Sequence, residues 1–221
     1  AKIKNLRLNI LPETQKNYSE FNLLMDVIVY ELDGNLYINL TNRCSNDCRF
    51  CVRNTGATYY GNNLWLSKEP TSEEVLAAIK DKNYTEAVFC GYGEPTFRVK
   101  EIVEVGRELK KRGYLVRLNT NGQGNIINGR DITPEIAEGV DEVNVSLNAP
   151  TADEYYDICR PVFGEDAFDA LIDFAKKCKE RGLAVTFSIV DCIGEKKVEE
   201  CKKLADKVGI KLRVRKYIDE H

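Results

Sequence analysis

The sequence predicts an α/β fold, a partial, open (β/α)6 TIM-like barrel with an N-terminal β-hairpin extension. Three observations carry that prediction. Strand-like and helix-like stretches alternate along most of the chain, the connections between them are short, and only six such units fit into it. A closed eight-unit barrel typically takes about 250 residues, more than this chain of 221 holds. With 43% apolar and 30% charged residues, the composition is that of one globular domain. The expected division is residues 1–35 as an extension carrying the first hairpin strand, and residues 36–221 as the core domain.

Each element has a local cause. Residues 27–31 and 36–40 are apolar-rich strand runs separated by Leu32-Asp33-Gly34-Asn35, whose Asp-Gly pair favours a hairpin turn. Pro70-Thr71-Ser72-Glu73-Glu74 opens a helix through Val75, Leu76 and Ile79, with Thr71 and Glu74 forming a capping box. Residues 86–90 read as a short buried strand, 99–112 as a helix closed by Gly113, and 115–119 as the next strand. Thr133-Pro134 starts a short helix, 142–147 is a strand, 166–181 is a long helix ended by Gly182, and 184–190 is a strand. A helix over 195–208 and a strand over 211–217 complete the sixth unit. Alternation in that last strand puts Lys211, Arg213, Arg215 and Tyr217 on one face and Leu212 and Val214 on the other. Such a charged edge blunts aggregation, and a substrate or partner groove is its other use.

Charge and hydropathy restrict the function classes. A net charge of -3 gives no general electrostatic reason to bind nucleic acid. There is no apolar run of membrane-spanning length, and residues 1–20 lack the apolar core of a secretory signal, so the expected location is cytoplasmic, with no membrane partner. Of the eight cysteines, Cys90, Cys159, Cys178, Cys192 and Cys201 are dispersed, as small buried hydrophobes would be in a reducing compartment.

The other three are not dispersed. Cys44, Cys48 and Cys51 follow the strand Leu36-Tyr37-Ile38-Asn39-Leu40 at a strand end, where parallel α/β folds gather functional groups. Three thiolates on one loop can hold three irons of a 4Fe-4S cube and leave the fourth open to another ligand. A structural zinc loop would want a second pair of Cys or His ligands, and the only histidine is His221.

Further polar groups fall at the following strand ends. Gly91-Tyr92-Gly93-Glu94-Pro95-Thr96 combines glycines that permit close backbone approach with a carboxylate suited to an ammonium group. Asn119-Thr120-Asn121-Gly122 and Ser146-Leu147-Asn148-Ala149-Pro150 come next, and turn chemistry alone would also account for them. Arg160, before Pro161, offers a guanidinium for a carboxylate or a surface ion pair. Together these groups suit S-adenosylmethionine, whose amine, carboxylate, ribose and adenine each need a different partner.

The segment Cys44-Ser45-Asn46-Asp47-Cys48-Arg49-Phe50-Cys51 resembles the signature of the radical SAM superfamily, with an aromatic residue just before the third cysteine. Gly91 to Pro95 resembles that family's glycine-glutamate motif, and the resemblance spans roughly residues 37–217. Ser188-Ile189-Val190-Asp191 departs from the family's Gly-x-Ile-x-Gly pattern on the fifth strand. More narrowly, Tyr37 to Cys44, Cys51 to Asn54, Asn63 to Leu66, Gly129 to Ile132 and Ser146 to Pro150 resemble the TatD-associated radical SAM proteins.

The resemblance implies that Cys44, Cys48 and Cys51 hold a 4Fe-4S cluster whose open iron is chelated by S-adenosylmethionine. It implies that Phe50 backbone lies against adenine, Gly93 and Glu94 receive the methionine amine, and Ser146 and Arg160 take its carboxylate. Asn119 and Asn148 are implied amine or ribose contacts. The implied reaction is reductive cleavage to methionine and a 5'-deoxyadenosyl radical that takes hydrogen from an unidentified small molecule or protein. A one-electron donor such as a flavodoxin or ferredoxin is an implied partner. The alternative is an electron-transfer or cluster-carrying protein without that chemistry. Tyr59, Tyr60 and Trp65, on the loop past the cysteines, either line the mouth or pack on one another, and Arg53 either meets an anionic substrate or pairs on the surface.

Overall fold

The computed structural model describes residues 26–54, 58–80 and 84–217. Most of the predicted extension, residues 1–25, and the predicted C-terminal His221 lie outside the described residues. Seven strands form one sheet in chain order: β1 (Val29–Leu32), β2 (Asn35–Ile38), β3 (Glu86–Phe89), β4 (Leu115–Thr120), β5 (Glu142–Ser146), β6 (Ala184–Val190) and β7 (Lys211–Arg215). β1 pairs antiparallel with β2 through the Asp33-Gly34 turn, both residues at positive φ, and every later pairing is parallel. No pairing joins β7 to β1, so the barrel is open, with six parallel strands as expected.

The helices are α1 (Ser72–Ala78), α2 (Val99–Lys111), α3 (Gly124–Asn128), α4 (Thr133–Gly139), α5 (Ala152–Cys159), α6 (Asp166–Glu180) and α7 (Glu195–Val208). α1 starts at the expected capping box, where Thr71 accepts from Glu74 N and the Glu74 carboxylate accepts from Thr71 N. Two helices go beyond the sequence expectation. α3 is too short to show a period, and α5, of 8 residues, spans only about two turns, although Thr151 caps it by accepting from Glu154 N. Among the described residues no helix follows β7.

Side-chain alternation divides the sheet into two unlike faces. Ile38, Phe89, Leu118, Val145 and Phe187 point outward and are fully buried beneath the helices, against Ile102, Leu109 and Phe174. Each such burial contributes about 1.5–3 kcal/mol, so the core is a crescent outside the barrel. The concave face is polar. Tyr37, Arg117, Asn144, Ser188 and Arg213 fall there by register. Glu86 and Arg117 form a paired fork on it at 2.6 and 2.9 Å, and Arg117 also donates to Asn119 Oδ1 at 3.0 Å.

Two expectations change. β7 ends at Arg215, short of Tyr217, and Val214 on its outer face is exposed while Leu212 packs on the core, because no described helix covers the strand's end. Of the dispersed cysteines, Cys159, Cys178 and Cys201 are buried, but Cys192 is exposed in the turn after β6.

Candidate active site

The cysteine loop leaves the C-terminal end of β2 and is fastened from behind. Asp47 N donates to Cys159 O and Arg49 N to Ile158 O, each at 3.0 Å, while Val162 N donates to Ser45 O at 2.9 Å. The end of α5 and the loop therefore behave as a short backbone-bonded pair. Side chains complete the attachment: Asn121 donates to Ser45 Oγ at 2.8 Å, Gln123 to Asn46 Oδ1 at 2.8 Å, and Asn46 to the Tyr155 hydroxyl at 3.0 Å. All of these side chains are buried, where such a network fixes one conformation.

Arg53 turns onto the cysteine loop. Its Nε donates to Cys51 Sγ at 3.2 Å and Nη2 to Asn46 O at 3.2 Å, so the guanidinium sits against the Cys51 thiol, and its charge acts on Cys44 and Cys48 as well. Burial pushes the Cys44 thiol up to about 12, and Arg53 opposes that shift. The hydrogen-bonded Cys159 thiol and burial push Cys48 up as well. A cation against a closely spaced thiol set stabilises thiolates, the form an iron-sulfur cluster binds. Among the described residues no three Cys, His, Asp or Glu side chains converge on a single ion. A cube spreads its protein thiolates over three separate irons, so three cysteines strung along one loop suit a cluster better than a mononuclear ion.

The glycine turn after β3 docks against the same approach. A Cβ at Gly93 would lie 2.2 Å from Thr41 O and 2.6 Å from Arg43 O, and one at Gly91 would lie 2.0 Å from Asn39 Oδ1. Glu94 N donates to Arg43 O at 2.7 Å, tying the turn to the residue before Cys44. The Glu94 carboxylate is buried and turned toward its own neighbours. Oε1 accepts from Thr96 N at 3.1 Å and from the Thr96 and Thr120 hydroxyls at 2.7 Å, and Oε2 accepts from Asn121 N at 2.6 Å. Burial holds its pKa above the ordinary carboxylate value despite those donors.

The remaining expected contacts distribute unevenly. Asn119 and Ser146 lie at the C-terminal ends of β4 and β5 on the concave face, and Asn148 is buried at φ 56° with Oδ1 lacking a partner. Phe50 packs partly on the core. Arg160 stands apart, at φ 46° just past α5, with an exposed side chain 3.8 Å from Asp47. Tyr59, Trp65 and Tyr92 pack in a second apolar cluster with Tyr30 and Leu64, Trp65 meeting Tyr92 edge-on at 5.2 Å. The loop thus packs on aromatics, including one from the glycine turn. Sequence reasoning did not single out Ser45, Asn46, Gln123 or Tyr155, whose partners are far apart in the chain; polar residues between ligand cysteines were the available signal.

Residues 38–208 match the family model of the Radical SAM superfamily. The chain belongs to the radical SAM superfamily. Members of this superfamily use a 4Fe-4S cluster and S-adenosylmethionine, and the half-buried three-thiol loop with Arg53 beside it fits the former. The chain is 29% identical over 142 residues to "Probable GTP 3',8-cyclase" of Thermococcus kodakarensis, covering 63% of this chain and 41% of that protein. It is 30% identical over 127 residues to "Molybdenum cofactor biosynthesis protein 1" of Drosophila melanogaster, covering 57% and 21%. The chain therefore matches well under half the length of these relatives. Among solved structures, SuiB of Streptococcus suis bound to S-adenosylmethionine superposes with a TM-score of 0.59 at 17% identity, over 83% of this chain and 38% of that one. A radical SAM methyltransferase from Sphaerobacter thermophilus gives 0.57 at 18% identity, over 85% and 68%. At those identities they support the shared open-barrel fold. Among the described residues no helix is long and apolar enough to cross a membrane.

Proposed function

We propose that the protein is a radical SAM enzyme whose catalytic core falls within residues 36–221. The observation that carries the reading is the docking of the Gly91–Thr96 turn onto the approach to Cys44, which sets a ligand-binding turn beside a three-thiol loop. In this reading Cys44, Cys48 and Cys51 hold the cluster. Backbone at Phe50 and Gly93, with Glu94, Asn119, Ser146, Asn148 and Arg160, surrounds S-adenosylmethionine. With its carboxylate fully engaged, Glu94 acts chiefly by shaping the turn, leaving backbone groups to meet the amine.

When bound, the cluster and S-adenosylmethionine supply one-electron cleavage of the sulfonium carbon-sulfur bond, giving methionine and a 5'-deoxyadenosyl radical that takes a hydrogen atom from substrate. The chain's own contribution is to fix the loop, set Arg53 against the Cys51 thiol and present a concave polar wall to whatever is bound. The electron comes from a donor of the flavodoxin or ferredoxin kind, and the substrate is a small molecule or protein.

The test is anaerobic reconstitution, reduction and addition of S-adenosylmethionine, with 5'-deoxyadenosine quantified. Wild type is expected to form it, and Cys48→Ala to lose both cluster absorbance and product. A verified, reducible cluster with neither product nor S-adenosylmethionine binding would replace this reading with a cluster-carrying one.

A further inference from the structure

An arginine two residues past a ligand cysteine would ordinarily extend into water, and here the backbone turns it back. Cys51 N donates to Cys48 O at 3.0 Å and Asn54 N to Cys51 O at 2.9 Å, and the chain enters a short 3-10 turn over Val52–Asn54. The guanidinium of Arg53 then spreads its donors over the cysteine loop: Nε reaches Cys51 Sγ at 3.2 Å, Nη2 reaches Asn46 O at 3.2 Å, and Nη1 reaches Asn42 O at 3.5 Å. Asn46 is clamped in turn. Its Nδ2 donates to the Tyr155 hydroxyl at 3.0 Å and its Oδ1 accepts from Gln123 Nε2 at 2.8 Å, all three side chains being buried. Asn46 N also donates to Cys44 Sγ at 3.4 Å. One fixed residue thus holds the guanidinium with its carbonyl and a ligand sulfur with its amide.

The acceptors of Arg53 are one sulfur and two backbone carbonyls, and none is a carboxylate. Other arginines drawn out of water in this fold have carboxylates beside them: Arg98 meets Glu69 and Glu101, and Arg117 meets Glu86. The anion left for the half-buried Arg53 is the deprotonated ligand set itself. Hydrogen bonds to ligand sulfurs and local charge are what set the potential of an iron-sulfur cluster. One-electron reduction adds negative charge where three thiolates already lie, so a cation bonded to one of those sulfurs favours the reduced form over the oxidised one.

We infer that Arg53 is a positioning residue that raises the reduction potential of the cluster through its bond to the Cys51 sulfur. The single electron given up by a donor of the flavodoxin or ferredoxin kind is then accepted by the cluster more readily than three thiolates alone would allow. This assignment needs the cluster of the proposed enzyme but not its S-adenosylmethionine. Asn46, Tyr155 and Gln123 serve it by keeping the guanidinium and the loop in one relative position.

The test is an anaerobic redox titration of the reconstituted protein without S-adenosylmethionine, followed by the electron paramagnetic resonance signal of the reduced cluster. Arg53→Gln is expected to be at least about tenfold harder to reduce, a potential lower by about 59 mV for a one-electron couple. Arg49→Gln removes the same charge from the same loop, but from an exposed side chain paired with Asp157, and is expected to change the reduction equilibrium by less than about threefold. Arg53→Lys keeps a cation without the planar fork and is expected to fall between wild type and Arg53→Gln. It also stands in should the Gln variant retain too little cluster to titrate. A purely structural arginine would lower iron content and melting temperature while leaving the potential of the remaining cluster unchanged, and an unchanged or raised potential in the Arg53 variants overturns the inference. So does an Arg49→Gln shift equal to that of Arg53→Gln, which would assign the effect to net charge. An Arg53-dependent potential in a protein that forms no 5'-deoxyadenosine would uphold the inference and overturn the enzyme reading, whereas a wild type that takes up no cluster would overturn both.

Discussion

At the scale of single residues, Glu94 carries the clearest consequence. Four donors converge on its two oxygens, so Glu94→Gln keeps three of them on one oxygen and sets an amide N–H against Asn121 N. The expected loss is about 1–3 kcal/mol, read by urea denaturation. The pH dependence has a definite sign. The folded protein holds the Glu94 proton to a higher pH than the unfolded chain, so between the ordinary carboxylate pKa and the raised one the folded state binds more protons. Wild-type stability from this group is therefore greatest below the ordinary value, falls as pH rises through that window and is level above it. The stability gap between wild type and Glu94→Gln should accordingly narrow as pH rises through the window, and a constant gap would show that Glu94 is ionised throughout. The cysteine trio was legible in the sequence because three ligands within eight residues need no tertiary information. The place of Arg53 was not, because it depends on how the loop closes after Cys51.

At the scale of elements, the glycine turn and the cysteine approach form one interlocked unit. Gly93→Ala would drive a Cβ into two backbone carbonyls that have no side-chain freedom to yield. A cost of about 3 kcal/mol or more is expected from overpacking, with the Glu94 N to Arg43 O bond broken. Denaturant midpoints on the cluster-free protein check this; a shift below about 0.5 kcal/mol would mean that the turn does not bear on the loop. Most strands and longer helices were readable because hydrophobic period and caps are local: Thr71 with Glu74, Gly113 and Gly182 each mark a boundary that the structure keeps within a residue or two. α3 and α5 escaped, since five residues cannot display a helical period and the 8 residues of Ala152–Cys159 give Tyr155, Ile158 and Cys159 little more than two turns in which to show one.

At the scale of the molecule, three backbone hydrogen bonds connect the loop to the end of α5 and the segment after it, so an event at the cysteines should be felt beyond β5. Cluster loading is expected to raise the melting temperature and to slow hydrogen exchange at Asp47, Arg49 and Val162 more than at distant α7 amides. Uniform slowing, with no preference for those three amides, would mean that the cluster stabilises the fold globally and not through this connection. The open sheet was foreseeable from chain length, since six parallel strands are too few to close a typical eight-stranded barrel. The polarity of its interior was visible only as alternation, and its meaning required the register of neighbouring strands.

That alternation separates two kinds of selective demand. Along every parallel strand, one set of side chains answers to the helices and the next answers to whatever occupies the hollow, and the two sets scarcely touch. Substitutions such as those at Asn144, Ser188 or Arg213 can therefore drift while Val143, Phe187 and Leu212 stay fixed. The scaffold can exchange one chemical clientele for another without relearning how to fold, and a lineage built on it can diversify by rewriting every second letter of its strands.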